Sequence, residues 1–322
     1  MPKVSVNTFT TYDAKANRED LSSVINNIDP TSTPVISAIG SSDKATNRSF
    51  DWQTEALRAV NKNNAKIEGD TTTRNAGTPT ARVTNVCQIL EDNATVSGSQ
   101  NAANPAGKKK EMAHQMALVS KALKRDLEAI ISGEQAANDG DDTDNSEVAR
   151  KTRALEHFIT TNVSYGTGGA NPASRTATLT DGTQRQLTED MQNDVLQNAY
   201  DNGAEPSLLI VGSGNKRVIT TFTGRAQSKV EVGTKTVVNT VEVYQGEFGL
   251  LKVVTSRFHR SRTALYLDPE YAALRWYRPW HQEDLAKIGD ADTKVIRCEV
   301  GLEVGTEKAH AKVADLTTTG PA

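Results

Sequence analysis

The sequence predicts an α+β subunit outlined by one long amphipathic helix and one long, polar-tipped β-hairpin. The helix is placed at 105–135, PAGKKKEMAHQMALVSKALKRDLEAIISGEQ. Its Met112, Met116, Val119, Leu123, Leu127, Ile130 and Ile131 recur at steps of three and four, which makes one apolar stripe at the helical period. Pro105 suits the first helical position and Gly133 the stop. About 29 residues would form a rod of roughly 43 Å, more than twice an ordinary globular helix. The hairpin is read from strands at 48–57 and 80–90, separated by a stretch with almost nothing to bury. A structureless loop of that length is rare inside a compact domain. Such a chain suits a subunit completed by its neighbours better than a self-contained enzyme.

The other elements follow in order. Residues 1–16 are polar and patternless and read as an arm. In 17–28, Leu21, Val24, Ile25 and Ile28 fall on one helical face behind an Asn17 cap. Asp29-Pro30 and Thr33-Pro34 stop that helix and set an extended bend. Val35, Ile36, Ala38 and Ile39 form a small apolar anchor closed by Gly40. The first hairpin strand alternates Phe50, Trp52, Thr54 and Ala56 with Asp51, Gln53 and Glu55; the return alternates through Ala81, Val83, Cys87 and Ile89. Residues 136–146 read as an acidic solvated loop, 147–160 as a helix through Leu155, Phe158 and Ile159, and 164–173 as a flexible link. Residues 187–203 form a helix capped by Thr188 and stopped by Gly203, and 207–212 a short strand covered on both faces. A helix follows from Asn215 through Val218, Ile219 and Phe222. Strands follow at 236–244, 249–257, 263–268, 272–278 and 293–305.

Composition narrows the chemistry. Hydrophobic content of 36% and aromatic content of 5% are low for one compact core in 322 residues; such a chain either carries disordered tracts or holds much surface for other subunits. A net charge of −3 argues against a dedicated polyanion binder. Cys87 and Cys298 have no metal or redox spacing and read as two reduced core thiols. No run of 18 apolar residues exists, and the N-terminus lacks an apolar signal region. Asp139, Asp141, Asp142 and Asp144 do not keep the EF-hand spacing. Gly212-Ser213-Gly214-Asn215-Lys216 sits between strand and helix, but only one residue separates its glycines and Arg217 follows the lysine, so it reads as a turn and not as a phosphate loop. The five histidines form no local ligand pair, and no Gly-x-Ser-x-Gly elbow exists. The expected catalytic, cofactor and metal sets are therefore empty. Two aromatic-basic patches, 257–262 and 274–280, fit either single-stranded nucleic acid or ordinary core and interface packing.

Taken in order, NREDLSSVINNIDPTSTPVISAIG (17–40), FDWQTEAL (50–57) and SKALKRDLEAII (120–131) resemble the major head proteins of a group of tailed bacteriophages. The resemblance covers nearly the whole chain. It implies the Johnson fold, the Hong Kong ninety-seven-type capsid fold. On that basis 1–47 is an N-terminal arm and anchor, and 48–88 an extended loop lying over a neighbour. Residues 89–175 form a peripheral domain with spine helix 105–135, 176–262 an axial domain, and 263–322 the rest of the peripheral domain. The implied role is a shell protein of the virion, assembled in the bacterial cytoplasm as hexamers and pentamers around non-specifically held double-stranded DNA. Portal, separate scaffold and cement proteins are the implied partners, and no membrane is. Contact candidates between subunits are Trp52, Lys62, Lys66 and Arg74 on the loop and Lys108, Lys109 and Lys110 at the helix start. Two rivals stand beside this reading: an encapsulin-type nanocompartment shell, and an α/β nucleotide-binding enzyme using the 212–216 turn.

Overall fold

The computed structural model describes residues 31–69, 71–72, 77–103, 110–143, 147–222 and 243–319. The expected 17–28 helix, the strand over 236–242, Arg74, Pro105, Lys108 and Lys109 lie outside the described residues.

The chain begins with α1 (Pro34–Ala38) and β1 (Gly40–Ser41), followed by β2 (Ser49–Thr54), β3 (Ala81–Val86) and β4 (Gln88–Ser97). Next come α2 (Gly98–Ala102), α3 (Glu111–Ser132), α4 (Leu155–Phe158) and β5 (Val163–Ser164). The middle holds α5 (Glu189–Asp201), β6 (Leu208–Val211) and α6 (Ser213–Ile219). Then β7 (Val243–Gly246), β8 (Gly249–Thr255), β9 (Ala264–Leu267), β10 (Ala272–Asp284), β11 (Ala291–Val304) and β12 (Ala311–Val313) complete the fold.

Three sheets result. One has the order β1-β10-β11-β4, a second β5-β12-β9-β6-β8-β7, and the third is the two-stranded hairpin β2-β3. The six-stranded sheet runs across the division expected at 262/263, because β9 and β12 join β6 and β8. Its central strands separate two cores. Leu208, Ile210, Leu265 and Leu267 face the larger core with α3, and Leu209, Val211, Ala264 and Tyr266 face the other with α5 and α6. That is why 208–211 is a continuous apolar run: successive strand side chains point to opposite faces, and here both faces are covered.

The long helix is present as α3, with 22 residues over Glu111–Ser132 and a length of about 33 Å. Met112, Met116, Val119, Leu123, Leu127 and Ile131 are all buried. Lys110 is the N-cap, in extended backbone, so it precedes the first turn instead of lying within it. Gly133 ends the helix as expected, for a steric reason: its backbone is not left-handed, but a Cβ there would meet the Ala129 carbonyl oxygen at 2.7 Å.

The apolar anchor takes the form of one helical turn, Pro34–Ala38. Three local expectations are corrected. The return strand expected over 80–90 breaks at Cys87 and changes sheets there. Buried Asn85 makes the corner: its amide nitrogen donates to Thr152 Oγ1 (3.1 Å) and to the Leu302 carbonyl (2.6 Å), and its oxygen accepts the Arg153 N–H (3.0 Å). The helix expected over 147–160 shrinks to the single turn of α4, because Val148 and Lys151 pair with Asp141 and Asn138 as a small hairpin. The link expected at 164–173 is packed, not loose. Asp315 Oδ2 accepts the Gly166 N–H (3.0 Å) and Oδ1 the Gly182 N–H (2.7 Å), and a Cβ on Gly166 would meet the Thr183 carbonyl oxygen at 2.1 Å. The helix at 187–203 is α5, with Thr188 Oγ1 accepting the Met191 N–H at 3.3 Å.

Cys87 and Cys298 are free and buried, and burial pushes their thiols up to about 11 and about 12. His310 is fully buried, and burial pushes it down from 6.5 to about 4. Between those values the unfolded chain binds a proton that the folded chain refuses. Stability present at neutral pH is therefore lost as pH falls, by up to about 3 kcal/mol for this group. Glu128 and Glu156, raised by burial, act in the opposite direction. Thermal melts from pH 7 to 4.5 should show a shallower acid loss for His310→Gln than for the native chain; parallel curves would remove His310 as the source.

Candidate assembly surface

The projecting hairpin supplies the most exposed apolar surface among the described residues. β2 and β3 pair over six residues, Ser49↔Val86 through Thr54↔Ala81. One face is held to the body by Phe50 and Trp52, both buried. The other is polar: Asp51 is ion-paired with Arg82 and accepts the Thr84 hydroxyl, and these two hydrogen bonds hold its carboxyl below the usual range. Beyond Thr54 the chain makes no core. Leu57, Val60 and Ile67 are 97%, 89% and 81% exposed, and Arg58, Lys62 and Lys66 stand between them in the open. Scattered exposed apolar residues are normal, but three nearly bare ones within eleven positions are an unusual concentration of apolar surface.

Trp52 is corrected as a contact candidate. Its ring packs on Phe50 (centroids 5.8 Å) and Phe158 (6.0 Å) within its own subunit. Facing the body, as alternation requires for a half-buried strand, it fastens the hairpin's base. Lys62, Lys66 and Lys110 are exposed. The structure does not bring Lys110 to the loop; it borders a hollow of about 880 Å³ between α3 and the β10–β11 turn.

A buried carboxylate fixes the N-terminal anchor to the long helix. Glu128 Oε1 accepts the Val35 N–H (2.9 Å) and the Ser256 hydroxyl (3.1 Å), and Oε2 accepts the Ile36 N–H (2.9 Å). These are orphan donors at the start of α1, which the chain satisfies with a side chain of α3. Burial raises Glu128 despite the three donors. Sequence reading passed over this residue, although a glutamate beside Leu127 and near Ile131 on the apolar stripe is the signal that could have found it.

Apart from exposed Arg257, the cations of the two aromatic-basic patches are paired within the subunit. Arg260 pairs with Glu134 (2.7 Å), Glu156 (2.9 Å) and Asp181 (2.5 Å), and Arg262 with Asp181 (3.1 Å) and Asp315 (3.2 Å). Arg278 pairs with Glu299 at 2.5 Å and Arg275 with Glu303 at 3.4 Å, while Trp276 and Trp280 pack as tilted rings with centroids 5.9 Å apart. Cations neutralised this way have little left for a phosphate backbone. The 212–216 turn is also closed: Gly212 caps α6, Lys216 Nζ donates to the Val253 carbonyl (3.2 Å), and a Cβ on Gly214 would meet the Thr318 carbonyl oxygen at 2.5 Å. Among the described residues no group of three or more His, Cys, Asp or Glu is placed to hold a metal ion. No described helix is long and apolar enough to cross a membrane.

Comparison with known proteins gives the same picture. A major capsid protein of Escherichia phage Phieco32 is 34% identical over 131 residues, which span 41% of this chain and 37% of that relative. The structure superposes on a subunit of the cyanophage A-1(L) capsid with a TM-score of 0.65, at 10% identity, covering 96% of this chain and 98% of the other. It also superposes on the holo-SrpI encapsulin of Synechococcus elongatus PCC 7942, with a TM-score of 0.56, 8% identity and 95% of each chain covered. At such identities the likeness shows the fold, which is that of phage capsid subunits. The model of the SU10 major capsid protein family matches residues 5–317, so the chain belongs to that family.

Proposed function

We propose that copies of this chain build the icosahedral head shell of a tailed phage, as hexamers and pentamers around double-stranded DNA. The observation that carries the reading is the hairpin tip: Leu57, Val60 and Ile67 are nearly bare within one short segment, whereas Ile288 is the single comparably bare apolar side chain elsewhere among the described residues. The burial of a fully exposed branched side chain contributes about 1.5–3 kcal/mol, so a neighbour that covers this tip gains from it. In this reading the loop of 48–88 lies over an adjacent subunit and α3 is the spine of the peripheral domain. Shell assembly takes place in the host cytoplasm, with portal, scaffold and cement proteins as partners. A near-neutral chain suits a container that must not grip its DNA, since phosphate binding scales with the cations offered.

An encapsulin-type shell is the second reading, favoured by the shared fold. The chain expressed alone and viewed by negative-stain microscopy should give closed shells; soluble monomer at every salt and protein concentration would overturn both readings. Particles from producing cells separate the two, with nuclease-protected DNA for a phage head and an enclosed enzyme for a nanocompartment.

The lysines at the helix start belong to this proposal. Lys110 precedes α3, whose dipole disfavours cations by a few tenths of a kcal/mol each, so the subunit alone gains nothing from it. Replacing Lys108, Lys109 and Lys110 by glutamine should leave monomer stability unchanged or slightly higher. Assembly should weaken, and the native chain's assembly should fall more steeply with salt than the variant's. Sedimentation of both proteins across a salt series checks this, and superimposed curves would leave these lysines as a solvated turn.

A further inference from the structure

A second surface of the same chain has the complementary chemistry to the hairpin tip. The small hairpin closed by Asn138↔Lys151 and Asp141↔Val148 forms, with Arg48 and Ile89, a hollow of about 450 Å³. Its apolar part is Ile89 and Val148, each 44% exposed. Its rim carries Asp139, Asp141 and Asp142, all exposed. Of the cations beside them, Arg150 is paired with Glu299 (3.3 Å) and Arg175 neutralises Asp139, while exposed Arg48 offsets part of the charge of Asp141 and Asp142, so the hollow stays net acidic through those two carboxylates. Asp141 is held ionised by the Thr143 hydroxyl and N–H.

The tip offers the converse, with Leu57, Val60 and Ile67 interleaved with Arg58, Lys62 and Lys66. The larger hollow beside α3 suits it poorly. There Asp284 and Asp292 are already paired with Lys294 (2.7 Å) and Lys287 (2.8 Å), and Lys110 adds a further cation. Both the tip and the acidic hollow are open in one and the same subunit, so their pairing joins different copies. Unlike surfaces that pair head to tail make a heterologous contact, the kind that builds rings when the rotation between copies closes.

We infer that the tip at 57–67 docks into the hollow lined by Ile89, Asp141, Asp142 and Val148 of an adjacent copy of this chain. Its apolar side chains lie on Ile89 and Val148, and Lys62 and Lys66 face Asp141 and Asp142. The inference rests on the shell reading and adds where the loop lands. The test uses the full chain with Val60→Cys and Val148→Cys; native Cys87 and Cys298 are fully buried and stay out of the reaction. Oxidation of assembled shells should give a ladder of cross-linked multimers on a denaturing gel, and Val60→Cys with Leu285→Cys should give none. Independently, Lys62→Glu with Lys66→Glu, and Asp141→Lys with Asp142→Lys, should each lower the assembled fraction at least tenfold, and the four changes together should restore it. Shells that form but give no 60–148 ladder, a ladder with position 285 instead, or no rescue by the combined swap would overturn the landing site alone. A native chain that builds no shell would overturn the shell reading, and the landing site with it.

Discussion

Leu127→Asp is expected to leave no folded subunit. Leu127 is 2% exposed in the larger core, which gathers the anchor, the long helix and both multi-stranded sheets. Truncation of such a leucine to alanine alone costs about 2.7–5 kcal/mol. A carboxylate adds the cost of an unpaired buried charge, several kcal/mol more. The site is worse than a generic core position, because the neighbouring Glu128 already holds the local donors and is itself raised by burial. Domains are stable by only about 5–15 kcal/mol, so the sum consumes most or all of that. Leu127→Met, which keeps volume and apolarity, should cost under about 1.5 kcal/mol. Circular-dichroism melts and the soluble fraction of the two variants decide the matter. A soluble Asp variant that melts cooperatively near the native temperature would mean that the stripe is not buried.

What the sequence made legible was periodic. The stripe of α3, the alternation of Phe50, Asp51 and Trp52, and the unbroken run 208–211 each followed from a repeat that matches one backbone geometry, and all stand in the fold. Thr188 and Gly133 were legible because a cap and a stop have their own chemistry. The failures were tertiary. Leu155, Phe158 and Ile159 fit a helical face, but all three are buried around the single turn of α4, where the preceding chain is committed to a hairpin. The glycines of 164–173 suggested looseness, yet Gly166 and Gly169 are small because Asp315 and residues 182–183 press against them. Trp52 shows the limit of position along the chain: as a residue of the 48–88 loop it counts as a contact candidate, but the pleat turns it inward. Glu128 and the carboxylates around Arg260 join residues from 79 to 128 positions apart, which no local pattern records.

Replacing residues 60–76 by a short Gly-Ser turn is expected to separate folding from assembly. The described part of that segment contributes no buried side chain, and the six β2–β3 pairs stay below it. Trp52 and Phe50 still fasten the hairpin to the body through Phe158 and the cation–π contact of Arg275 with Phe50, 5.3 Å from the ring. Shortening the connection also lowers its closure entropy, which favours the folded state by about 1 kcal/mol. The variant should therefore melt at or slightly above the native temperature as a monomer. It loses Val60 and Ile67, two of the three bare apolar residues, and both Lys62 and Lys66. If those side chains are the grip on an adjacent copy, shells should be absent at protein concentrations where the native chain assembles fully. Sedimentation velocity reads monomer against shell directly, and a melting curve on the same sample confirms the fold. Full-sized shells from the shortened chain would show that the hairpin tip contributes nothing between subunits, however exposed it is.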